Sequence, residues 1–163
     1  MDKYERQAEL LGQLEAGSYQ VGTLGGGNHF IELDRDDEGR FYLVVHSGSR
    51  NLGKQVAEYY QKTAAKDLEK RRNDGKKLIA ELRAQGREAE IETALRSREF
   101  LKVDKNLAFA EGQLFEDYLH DMEITQHYAL LNRRAMVREI VKQMKFKVKD
   151  SFTTIHNYIE LDT

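Results

Sequence analysis

Apolar residues change their spacing several times along this chain, and each change predicts an element. Over residues 3–16, Tyr4, Ala8, Leu11 and Leu14 recur at helical spacing and Gly17 stops the run, predicting a short amphipathic helix. Residues 19–24 read as a strand entering a glycine turn, and Phe30 to Leu33 as a second strand. Asp34 to Arg40 is an acidic turn closing on Gly39, and the apolar run Phe41 to Val45 predicts a buried strand. Leu52, Val56, Tyr59 and Tyr60 restore the helical period, which continues with growing polarity to about Arg98. Breaks at Asn73-Asp-Gly75 and at Gly86 are expected to fold residues 51–98 into a helical hairpin. From Gln113 to Met144 a long helix carries Leu114, Tyr118, Met122, Ala129, Met136 and Ile140 on one stripe. Phe152, Ile155 and Ile159 then alternate as a terminal strand over 150–161.

The expected class is α+β (mixed α/β), with beta elements at both ends flanking a long helical insertion. Residues 1–163 form a single domain portion: glycine- and histidine-bearing strands and turns over 18–50, the hairpin insertion over 51–98, a long helix over 113–146, and the terminal strand. Composition narrows the setting. There is no cysteine, so disulfides and thiolate metal sites are ruled out within these residues, in keeping with a reducing cytoplasm. No apolar run approaches the ~20 residues of a membrane span and no signal pattern opens the chain, so a cytoplasmic protein without membrane contact is expected. A formal charge of -2 supplies no global basic field, so any nucleic-acid contact must be local. Charge alternates in sign between Lys66 and Arg98, which reads first as a solvated face.

With no proline, punctuation falls to the glycines, and five of the twelve lie between Gly17 and Gly27. They precede the first of three histidines set beside small residues: Gly25-Gly-Gly-Asn28-His29-Phe30-Ile31-Glu32, His46-Ser-Gly-Ser-Arg50 and His156-Asn157-Tyr158. Successive glycine N–H groups suit anionic oxygens. If residues 28–33 are extended, Asn28, Phe30 and Glu32 share one face, able to hold a nucleoside by hydrogen bonding and stacking, and His29 and Ile31 share the other. His46 ends a strand, Ser47 or Ser49 can cap the following helix, and Arg50 can fork onto a phosphate. Each histidine taken alone fits a structural role at least as well. His120 and His127 read as surface or packing histidines.

Taken in order, the three segments and the string Gln126-His-Tyr-Ala-Leu-Leu-Asn132-Arg133 resemble the RtcB family of RNA ligases, over about residues 18–160. The resemblance implies an enzyme that joins 2′,3′-cyclic-phosphate or 3′-phosphate RNA ends to 5′-hydroxyl ends in tRNA splicing or RNA repair, using GTP and two Mn2+ ions. It implies His29 as ligand of one ion and His46 with His156 as ligands of the other. Asn28, His29, Phe30, Ile31 and Glu32, with His156 and Asn157, would form part of the guanylate (GTP/GMP) wall. The family also uses an aspartate and a bridging cysteine upstream of the glycine segment and a guanylylated histidine further downstream. None of these has a match in this sequence, so no catalytic nucleophile is assigned, and the isolated chain is expected not to complete the cycle. RNA is the implied partner (tRNA halves or broken ends), with self-association or a complementing chain completing the site. Two other readings stay open. One is a metal-dependent phosphoesterase using the same histidines with Glu32 or Asp162. The other is a non-catalytic interaction module binding through residues 52–98.

Overall fold

In the computed structural model, residues 20–96, 103–155 and 158–159 are described. The expected helix over 3–16 lies outside them. Strand β1 (Phe30–Arg35) pairs antiparallel with β2 (Phe41–His46) in the register Phe30 opposite His46 through Arg35 opposite Phe41. Helix α1 (Arg50–Ala84) follows, then a 3-10 turn at Glu88–Glu90, the short helix α2 (Ile91–Arg96), and the long helix α3 (Gln113–Met144). The class is α+β, with the strands on the N-terminal side.

Asp36 makes the hairpin. Its carboxylate accepts from the Arg40 backbone N–H at 2.8 Å, from Arg40 Nε at 2.6 Å and from the Tyr42 hydroxyl at 2.9 Å. Gly39, at φ +81, takes the left-handed position this turn needs. Arg40 beside it holds the Asp36 carboxyl below the usual carboxylate range.

The chain divides into two compact units, one of residues 1–56 and 119–163, the other of residues 57–118. In the first, Leu52, Val56, Tyr128, Ala129 and Met136 are the buried apolar residues among those described. In the second, Tyr60, Ala64, Leu68 and Leu82 continue the buried stripe of α1, and the rings of Tyr60 and Tyr118 meet at 5.2 Å. Arg72 and Arg71 tie the segment ahead of α3 to α1, donating to the Val103 carbonyl and pairing with Glu111.

Four expectations need correction. Helix α1 runs unbroken through Gly75, which is buried inside it, and stops only after Ala84, with Gly86 at φ +70. A single interior glycine costs about 1 kcal/mol, which a buried i,i+4 stripe readily outweighs, so one long helix, Arg50–Ala84, precedes the short Ile91–Arg96. Residues 20–24 form a turn rather than a strand, because Gln20 accepts from the Thr23 N–H and Gly22 bonds elsewhere. Strand β2 forms as expected but is not buried: Phe41 is 66% exposed, and a two-stranded sheet leaves surface open on both faces. Residues 151–155 and 158–159 form no strand; their alternating pattern finds no ladder partner among the described residues.

Candidate functional site

The site is assembled on Asn132, the one fully buried large side chain among the described residues. Its Oδ1 accepts from the Gly22 N–H at 2.8 Å. Its Nδ2 lies 3.3 Å from the Thr23 carbonyl, 3.1 Å from Ser47 Oγ and 3.2 Å from the Gly48 carbonyl. One amide from α3 thus fastens the glycine segment to the turn after β2. Ser47 completes the fastening by donating to the Leu24 carbonyl at 2.8 Å, so it is no helix cap. Next along α3, Arg133 donates from Nη1 to the Ser47 carbonyl at 3.1 Å and from Nη2 to Thr153 Oγ1 at 3.3 Å. Burial lowers its pKa from the ordinary guanidinium value.

The two loops so joined present His29 and His46. Their ring centres lie 6.0 Å apart at 49°, and Phe30 stacks on His46 at 5.2 Å and 17°. His29 was expected on the face opposite Phe30. It falls near the same cluster because β1 begins only at Phe30, leaving Asn28 and His29 outside the strand alternation. Backbone glycines border both nitrogens of the His29 ring. A Cβ on Gly25 would stand 2.7 Å from Nδ1, and one on Gly48 would stand 3.9 Å from Nε2. The Gly25 Cβ would also overlap the Arg50 guanidinium, which would have to move, and the φ of +93 favours glycine there.

Arg50 opens α1 in a left-handed conformation, φ +59, uncommon outside glycine. Its Nη1 reaches the Leu24 carbonyl at 3.4 Å. Two buried polar atoms of this cluster, His29 Nδ1 and Arg50 Nε, have no hydrogen-bond partner among the described residues. Nearly all buried polar atoms are paired, and the exceptions concentrate where a ligand or a reaction uses them. The Tyr128 hydroxyl is raised by burial, an effect the charge on Arg50 offsets in part.

His29, Phe30, His46 and Arg50 are therefore drawn together. Glu32 shares a sheet face with Phe30 and His46, two residues further along and opposite Val44; Ile31, opposite Val45, faces away. Asn28 is exposed in the turn. His156 and Asn157 lie outside the described residues. His120 and His127 are exposed on α3, as expected. No three His, Cys, Asp or Glu side chains among the described residues cluster closely enough to hold a metal. The described residues bring together two imidazoles, His29 and His46, and no third side chain of these types beside them.

The sequence compares with known proteins accordingly. The family model for tRNA-splicing ligase RtcB matches residues 2–163. The chain belongs to the RtcB family. RtcB relatives include RNA-splicing ligase RtcB1 of an Escherichia coli strain, 30% identical over 152 residues, which cover 86% of this chain and 31% of that protein. RNA-splicing ligase RtcB of Escherichia coli K12 is 29% identical over the same shares. The tRNA-splicing ligase RtcB of Pyrococcus horikoshii is 36% identical over 72 residues, 36% of this chain and 8% of that protein. The chain spans about a third of the length of the E. coli relatives it matches. No solved structure matches it.

Against this family background, what sequence reasoning missed was the work of Asn132, Ser47 and Gly25. Asn132 and Arg133 stood in a family-like string, yet polarity on a helix otherwise placed by its apolar stripe gave no sign of which way they face.

Proposed function

We propose that this chain carries the histidine share of a two-metal site, and part of a guanylate pocket, in an RNA ligase. That ligase joins 2′,3′-cyclic-phosphate or 3′-phosphate RNA ends to 5′-hydroxyl ends with GTP and Mn2+. The observation that carries the reading is the His29–His46 pair, ring centres 6.0 Å apart over glycine backbone, with His29 Nδ1 buried and without a hydrogen-bond partner among the described residues, in a chain of the RtcB family. His29 would hold one ion, and His46 with His156 the other. Bound there, the ions would neutralise phosphate charge and polarise phosphoryl oxygens.

The chain's own residues supply the setting. The Arg50 guanidinium, whose Nε has no hydrogen-bond partner among the described residues, draws an anionic oxygen towards the His29 edge. Phe30, 40% exposed on its strand, offers ring surface for a base, while Glu32 on the same sheet face and Asn28 in the preceding turn offer hydrogen-bonding groups. Asn132 keeps the two histidine loops from separating. Imidazole pairs suit Zn2+ at least as well as Mn2+, so both metals belong in the test.

Titration of the chain with Mn2+ and with Zn2+, against His29→Ala, His46→Ala and His156→Ala, tests the proposal. The reading expects Mn2+ binding to weaken tenfold or more in each variant while the far-UV spectrum stays unchanged. Unchanged affinity in all three would remove the metal-site reading and leave the interaction module.

A further inference from the structure

We propose that Arg134, Arg138 and Lys142 on α3, continued by Lys145, Lys147 and Lys149, form a docking surface for the phosphodiester backbone of single-stranded RNA. The proposal rests on reading the chain as part of an RNA ligase, and it assigns the strand residues other than those of the histidine site. Arg134, Arg138 and Lys142 recur every fourth residue, one stripe with a cation about every 6 Å of helix. All six side chains are exposed, and no ion pair among the described residues engages any of them. Residues 134–149 hold these six cations against one acid, Glu139, whose Oε1 accepts from Gln143 at 2.7 Å. In a chain of net charge -2 this is a local concentration of positive charge, unlike α1, where the signs alternate. A row of cations suits a polyphosphate better than a single anion. Exposed rings interleave with the charges: Phe146 between Lys145 and Lys147, and Phe152, 88% exposed, shortly beyond. Cations alternating with aromatic rings are how single strands are held without regard to sequence.

The helix ending supplies a second, independent observation. Helices α1 and α3 end in the same hydrogen-bond pattern. At α1, Arg87 N–H donates to the Leu82 carbonyl and Gly86 N–H to the Arg83 carbonyl. At α3, Phe146 N–H donates to the Val141 carbonyl and Lys145 N–H to the Lys142 carbonyl. Both patterns need a left-handed residue, which is normally glycine. Gly86 meets the need at φ +70, but at α3 the position holds Lys145 at φ +54. A cation stands where the backbone favours glycine, and such strain is retained where the side chain has other work.

The test is anisotropy of a labelled 12-nucleotide oligouridylate with the full chain, in EDTA, across a salt series. Each phosphate contact contributes roughly 0.7 to the slope of log affinity against log salt. The triple variant Lys142→Gln, Lys145→Gln, Lys147→Gln should bind at least tenfold more weakly, with a slope smaller by about 2. Lys145→Gly should raise the melting temperature and still weaken RNA binding, a combination no purely structural role gives. Unchanged affinity or slope in the triple variant would overturn the proposal. So would unchanged RNA binding by Lys145→Gly, or binding to vesicles rich in phosphatidylserine with none to RNA. Because EDTA removes metal from the measurement, its outcome does not depend on the histidine site holding an ion. A failure of this surface is then distinguishable from a failure of the metal-site reading.

Discussion

Replacing Asn132 by alanine should loosen the whole histidine site, and the size of the effect follows from its bonds. The amide contributes one acceptor, used by Gly22, and two donor hydrogens divided among the Thr23 carbonyl, Ser47 Oγ and the Gly48 carbonyl. Three hydrogen bonds at about 1 kcal/mol each give roughly 3 kcal/mol net. Stranding of the buried Ser47 hydroxyl, which keeps only its bond to Leu24, adds to this. A loss of about 3–4 kcal/mol would lower the melting temperature of a chain this size by roughly 6–15 °C. The chain has no tryptophan, so urea unfolding followed by far-UV circular dichroism is the suitable assay. Hydrogen exchange at the Gly22 amide gives a local check, since that N–H loses its only side-chain acceptor. Asn132→Asp should be at least as damaging at neutral pH, because an acceptor would then face three oxygens. It should recover in part on acidification, when its carboxyl can donate. A loss below about 1 kcal/mol for Asn132→Ala, with Gly22 still protected, would refute the fastening role.

Three other outcomes follow. Gly25→Ala should displace Arg50 and His29 together, since the added Cβ overlaps the guanidinium and crowds Nδ1; a shift of the His29 imidazole NMR signals without loss of helix would show it, and unmoved signals would not fit. Asp36, held low chiefly by Arg40, should titrate below its ordinary value of 3.8. Its contribution to the hairpin is complete above that value and is lost as the pH falls through the depressed one; Asp36→Asn should abolish that acid step in the Tyr42 signals. Gly86→Ala should destabilise the chain by about 1 kcal/mol, because its left-handed φ of +70 strains a residue that carries a Cβ, and urea unfolding measures it.

Much of the scaffold was legible in the sequence. Helix α3 spans Gln113–Met144 as its apolar spacing indicated, and the hairpin strands fall around Asp36 and Gly39 where the turn residues put them. The break at Gly75 was misplaced because a glycine weakens a helix locally, while the i,i+4 apolar stripe from Leu52 to Leu68 acts along its length. The terminal strand was misplaced because alternation describes a surface, and a strand also needs a neighbour to bond. The glycines and serines beside His29 and His46 marked two segments that the fold brings together, with the rings 6.0 Å apart. The floor beneath them was not legible. On α3 the buried face includes Asp121, Thr125 and Asn132 among apolar residues, and a polar side chain at helical spacing carries no mark of whether it faces water or a loop it must hold.

The central claim, that His29 and His46 belong to one two-metal site, is tested most directly by Mn2+-induced broadening of the imidazole NMR signals. The five histidines provide their own controls, because His120 and His127 stand exposed on α3. The account predicts that His29 and His46 broaden together at substoichiometric Mn2+ while His120 and His127 stay sharp. Broadening of His120 and His127 first, or of all five alike, would contradict it.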